Sequence, residues 1–168
     1  MYLRRQLTSM VREEGEVRIV MFPETKVAVF RHRGDPELIG ESVRRFVEWR
    51  RAHGLSQSRS ATYNILYHDP GSVAPGSYRV DLCAAIDEAF DSSGCGVLYR
   101  TIPAGRCAVL RHVGSDELLG ERIRFLVSSW FPASGELRRN YPLFLQRVRF
   151  FPEVPEGESV IDIFLPLA

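Results

Sequence analysis

The amino-acid sequence predicts an α+β domain: a mainly antiparallel sheet with two long helices on one face, built from one strand-helix-strand-strand unit used twice about a pseudo-twofold axis. Three observations predict it. The chain repeats itself at a fixed offset, each copy passes from a period-two pattern to a helical stripe, and Pro/Gly-rich loops punctuate the strand material that follows.

The repeat fixes the architecture. Pro23 to Gly34 (PETKVAVFRHRG) matches Pro103 to Gly114 (PAGRCAVLRHVG), 80 residues further on. The register continues ungapped through Glu37-Leu38-Ile39-Gly40-Glu41 and Glu117-Leu118-Leu119-Gly120-Glu121, then through Arg44 and Arg124, and Val47 and Val127. In each copy the alternation of Val27, Val29 and Arg31 with Ala28, Phe30 and His32 is that of a strand. A helix should start after the following turn, with Asp35 as N-cap and Pro36 at the first position, and with Ser115 capping the second copy. Ile39, Val43, Phe46 and Val47 form one apolar stripe, and Leu119, Ile123, Leu126, Val127 and Trp130 form the other, so both are expected to lie on the sheet. Gly40 and Gly120, at equivalent positions in the first helical turns, suggest close backbone approach, against the plainer reading of a glycine tolerated in a frayed turn.

Strand material returns after each helix. Ala61 to Tyr67 and Tyr78 to Ile86 flank the loop Asp69 to Gly76, and Leu143 to Phe150 and Val160 to Leu165 flank Pro152 to Gly157. Short strands, Val17 to Phe22 and Val97 to Ile102, lead into the two copies. Residues 1–15 are expected to be a tail or linker and 16–168 one domain, with halves of about 16–91 and 96–168 that share one core.

Composition excludes several functions. With 22 Lys+Arg against 21 Asp+Glu, no long-range field marks a nucleic-acid or membrane-surface protein. Cys83, Cys95 and Cys107 form neither a disulfide framework nor a Cys-x-x-Cys site, which fits a reducing cytoplasm. No apolar run approaches the ~18 residues of a spanning helix. The equivalent His32 and His112 lack further residues at ligand spacing, so they read as sheet histidines beside Arg31 and Arg111, and no metal is expected. His68, Asp69 and Ser72 lack the turn that a nucleophile triad needs. No Gly-rich loop follows a strand and opens a helix, so no nucleotide cofactor is expected.

The ordered set of Pro23, Arg31-His32-Arg33-Gly34, Trp49, Tyr67-His68-Asp69-Pro70, Arg79-Val80-Asp81 and Leu165-Pro166 resembles the GyrI-like, or AraC effector-binding, domain family over Val17 to Leu167. The resemblance implies a small-molecule pocket at the junction of the two halves, in members that stand alone or are fused to DNA-binding domains; a few hydrolyse cyclopropane-containing toxins. It implies a carboxylate in the penultimate strand, where this chain reads Pro142-Leu143-Phe144-Leu145-Gln146-Arg147. Leu145 stands at the carboxylate position and Arg147 at that of a tyrosine.

Strand alternation puts Leu145, Arg147 and Arg149 on one face and Phe144, Gln146 and Val148 on the other. If the first face lines the pocket, its potential is neutral to positive. Tyr63 and Tyr67 share a face and form either a stacking wall for a flat ligand or core, since Ile65 lies beside them. Trp130 continues its helix stripe, whereas Trp49 falls beside its own and is the better pocket candidate. Asp81 and Asp162 correspond across the repeat and are expected to pair with Arg79 or another sheet arginine. The candidate ligand residues are thus Trp49, Tyr63, Tyr67, Leu145 and Arg147, with no catalytic residue assigned. The expected partner is a small molecule; a homodimer is compatible with the sequence, and neither direct DNA binding nor membrane association is expected. The alternative, a cyclopropane-opening hydrolase, needs a group that activates water, which Leu145 is not.

Overall fold

The computed structural model describes residues 17–69, 72–89 and 96–168. The tail, Pro70, and the join with Cys95 lie outside the described residues. Among the described residues eight strands form one sheet: β1 (Arg18–Phe22), β2 (Thr25–Arg33), β3 (Thr62–Leu66), β4 (Arg79–Ala85), β5 (Leu98–Ile102), β6 (Gly105–Val113), β7 (Phe144–Arg149) and β8 (Val160–Pro166). Their order is β1-β6-β8-β7-β3-β4-β2-β5 and every pairing is antiparallel. The α+β class expected from the sequence is the one observed.

The lead-in strands cross over. β1 pairs with β6, and β5 pairs with β2, so each joins strands of the other sequence repeat. Phe22 faces Gly105 in one pairing and Ile102 faces Thr25 in the other. Between the two halves, β3 and β7 pair with Asn64 opposite Leu145.

The sheet curls. Phe22 on β1 and Tyr63 on β3 stand four places apart in the strand order, which in a flat sheet would separate them by about 19 Å. Their ring centroids are 6.0 Å apart. The inside of the curl is filled by Phe22, Tyr63, Phe144 and Phe164, with the last two stacked at 4.9 Å. Edge-to-face contacts of Phe22 with both phenylalanines close the cluster.

Both helices lie on the outer face. A 3₁₀ turn, Pro36–Leu38, leads into α1 (Ile39–Ala52), and Asp35 caps it by accepting the Glu37 amide at 2.9 Å. Ser115 does not play the expected role: its side chain caps nothing, and its carbonyl instead accepts from His112 Nε2 at 2.8 Å. His32 Nε2 meets the Asp35 carbonyl in the same way at 3.0 Å, so both buried histidines tie a strand end to the turn that opens a helix.

The second helix is less regular than expected. α2 (Leu119–Phe125) widens into a π turn, Leu126–Trp130, before a short α3 (Phe131–Ser134). Pro132 supplies the cause, because its ring would clash with the carbonyl four residues earlier and a wider turn relieves the clash.

Two expectations about the helices are corrected. In α1 only Phe46 and Arg50 are buried, while Val43 and Val47 remain 39% and 37% exposed. Phe46 occupies the seat on Phe30, Leu82 and Ala84, and the Arg50 side chain takes the next position along the buried edge. Beyond their own helix, Gly40 and Gly120 have no atom of the described residues within 4 Å of where a Cβ would stand, so neither marks a close approach.

Candidate functional site

α1 packs on β2 and β4, and α2 on β6, which leaves the central pair β3 and β7 as the floor between two helices. Residues directly opposite on antiparallel strands share a face. The helix-bearing side of the floor therefore carries Thr62 and Asn64 from β3, opposite Arg147 and Leu145 from β7. Tyr63, Ile65, Phe144 and Gln146 point to the inside of the curl.

Leu145 is 2% exposed and packs with Leu126 and Ile163 in the core beneath α2. Arg147 donates from Nε to Asn64 Oδ1 at 2.7 Å and through both terminal nitrogens to the Asp116 carboxylate, at 3.2 and 2.9 Å. This fork-to-carboxylate geometry joins β7 to the turn that opens α2. It also neutralises the guanidinium, so the positive potential expected of this face is reduced to that of an ion pair. Arg147 lines a cavity of about 300 Å³ with Asp116, Glu117, Glu156, Phe150 and Phe151.

At the opposite side of the floor Arg50 reaches in from α1. It donates to Thr62 Oγ1 at 2.5 Å and to the carbonyls of Ser60 and Leu55 at 2.7 and 2.6 Å, with its guanidinium 5.3 Å above the Phe46 ring. Burial pushes its pKa down to about 10, which leaves it charged at neutral pH.

The five candidate residues do not converge. Leu145 and Arg147 share the floor. Tyr63 is buried in the aromatic cluster on the other side of the sheet. Tyr67 is on that side too, donating to Asp81 Oδ2 at 2.8 Å beneath the Arg79 guanidinium, 3.7 Å from its ring centroid. Burial, then the hydrogen bond to Asp81, pushes the Tyr67 phenol up to about 12. Of the two readings of Tyr63 and Tyr67, a stacking wall is not assembled beside Leu145, because alternation along β3 and the residue after it sends both tyrosines inward. Trp49, near the end of α1, is half-buried and stacks on His53 at 4.3 Å. Arg149 is also displaced: a bulge between Arg147 and Arg149 brings it opposite Val160, off the row of Leu145 and Arg147.

Sequence reasoning missed Asn64, Asp116 and Arg50. A polar Asn64 at the centre of Thr62-Tyr63-Asn64-Ile65-Leu66 was the available signal. Asp116 reads only as a helix-start charge until the fold brings β7 to it, a separation of 31 residues.

The profile of the GyrI-like small molecule binding domain matches residues 15–168. The chain belongs to that family. This GyrI-like domain is 34% identical over 154 residues, covering 91% of the chain and 96% of the relative, to the probable transcriptional regulator YgiV of Escherichia coli K12. Its fold is that of the EcmrR C-terminal domain, with a TM-score of 0.72 at 16% identity, covering 90% of this chain and 96% of that one. In the EcmrR–DNA complex the TM-score is 0.76 at 15% identity, and the match takes in 99% of the GyrI-like domain but 64% of the EcmrR chain. A hydrolase from Listeria innocua shares the fold as well, with a TM-score of 0.64 at 9% identity over 98% of both chains. Family membership makes the domain a small-molecule binder, as the sequence resemblance implied.

Proposed function

We propose that the domain is a cytoplasmic sensor for a small, largely apolar molecule of neutral or negative charge, held in the groove between α1 and α2. The observation that carries the reading is the floor itself: Leu145 faces Asn64 at its centre, and the cation beside them is Arg147. Arg147 contacts the ligand and Trp49 flanks it, Leu145 forms the apolar base buried beneath α2, and Tyr63 and Tyr67 support the floor from behind. A lipophilic cation entering here loses hydration and meets the Arg147–Asp116 ion pair, and the remaining carboxylates of the cavity, Glu117 and Glu156, are exposed, so that solvent screens their attraction. An anion can instead compete with Asp116 for Arg147.

The pairing pattern supports construction from two copies of one unit, since Phe22 with Gly105 and Ile102 with Thr25 are the same pairing displaced by 80 residues. The reading also makes the domain a binder without turnover, because neither Leu145 nor Asn64 can take a proton from water at neutral pH. Regulation of transcription follows the likeness to YgiV, with residues 1–15 as tail or linker. DNA contact then falls to another domain or partner, since charges nearly balance here.

Calorimetry with tetraphenylborate and tetraphenylphosphonium, matched in shape and opposite in charge, tests the reading. The borate is expected to bind more tightly. Tighter binding of the phosphonium would overturn the charge assignment, and steady conversion of a cyclopropane substrate would replace the sensor with the hydrolase reading.

A further inference from the structure

β2 and β4 end side by side with Arg33 directly opposite Arg79. Like charges at opposed positions of an antiparallel pair destabilise it unless something lies between them. These two line a cavity of about 350 Å³ together with His68, Gly76 and Ser77. The cavity is separate from the Arg147 groove, with which it shares no lining residue.

The local charge is not balanced by the described residues. The Asp81 carboxylate accepts from Arg31 at 2.9 and 3.2 Å and from Tyr67 at 2.8 Å, which leaves Arg79 a contact of 3.4 Å. Arg79 Nε is buried without a hydrogen-bond partner, and no ion pair forms at Arg33 among the described residues. Asp69 follows His68, but it is exposed and outside the lining. Arg79 is nonetheless held in place, by its contact with Asp81 and by its stacking on the Tyr67 ring.

The second half supplies an internal control. There Arg111 pairs with Asp162 as Arg31 does with Asp81, but the strand ends carry Val113 opposite Val160. Glu158 stands one place before Ser159 where the first half has Ser77 before Tyr78. The fold therefore closes this corner without cations.

We propose that the Arg33–Arg79 cavity binds the phosphate group of a small phosphorylated molecule. Two guanidiniums present fork geometry to phosphate oxygens, and the Ser77 hydroxyl and His68 ring add donors. The ligand fills the gap between the opposed arginines and accepts from their terminal nitrogens.

The test follows the melting temperature of the whole chain with inorganic phosphate, at fixed ionic strength and with chloride as reference. A saturable rise beyond chloride is expected. Arg33→Val, which installs the residue of the second half at an exposed position, should weaken the apparent phosphate affinity by about tenfold. Equal shifts with phosphate and chloride, or an Arg33→Val protein with unchanged affinity, would overturn the proposal. Titration with a short DNA duplex separates the sources of phosphate: binding to it that Arg33→Val abolishes would reassign the cavity to a nucleic-acid backbone and defeat the small-molecule assignment.

Discussion

Asp81 shows how much one side chain can hold. It is 1% exposed and accepts from Arg31, Tyr67 and Arg79. Burial works to raise its pKa, but the three donors outweigh burial and keep it below the ordinary carboxylate range. A depressed folded value means that the ionised form stabilises the fold above the unfolded pKa of about 3.9, and that this contribution disappears as pH falls through the folded value. Asp81→Asn should therefore cost about 3 kcal/mol in urea unfolding at pH 7, with the gap to wild type narrowing below about pH 4. Asp162→Asn should cost only about 1 kcal/mol, because its partner Arg111 is 51% exposed and screened. On the floor, Leu145→Glu alone should recover little binding of tetraphenylphosphonium, since the new carboxylate is buried beside Leu126 and Ile163 and can pair with Arg147 two positions along the same row. Leu145→Glu with Arg147→Tyr should recover more, and calorimetry on the two proteins measures the coupling. The sequence made Leu145 and Arg147 legible because strand alternation fixes a shared face whatever the tertiary structure. It could not reveal Asp116 or Asn64 as their partners, because those contacts cross 31 and 83 residues of chain.

At the level of elements, strands were easier to read than helix surfaces. The β2 and β6 alternations and the Pro/Gly loops placed every strand to within a residue or two, since a period of two and a turn are local properties. The α1 stripe was misjudged because an arginine can lie buried when enough acceptors meet it, and periodicity counts only apolar residues. Arg50→Met retains the stem and removes three hydrogen bonds, leaving Thr62 and two carbonyls without their donor. A loss of about 2–4 kcal/mol in urea unfolding is expected. Gly40→Ala and Gly120→Ala should each stabilise by about 0.5–1 kcal/mol, because both sit in α-helix with open space at the Cβ position. A destabilised variant at either place would mean that the turn needs the freedom of glycine after all.

On the scale of the whole molecule, the curled sheet separates two environments. The inner side is an aromatic cluster with an Arg–Asp pair towards each end, and the outer side holds the helices, with the Arg147 cavity beside the turn that opens α2. The repeat predicted equivalent halves, but nothing local could say which strand neighbours which, and adjacency in sequence wrongly favours β1 beside β2. The crossed pairing has a consequence for synthesis on the ribosome. β1 emerges early, yet its partner β6 lies more than 80 residues later, with Phe22 waiting for Gly105. At about 5–20 residues per second, β1 has no edge to join for several seconds at least, while β2, α1, β3 and β4 are made and can pair among themselves. The first of these eight strands to be translated is thus among the last to find its neighbour, and late docking of β1 should be the slow, non-local step of folding.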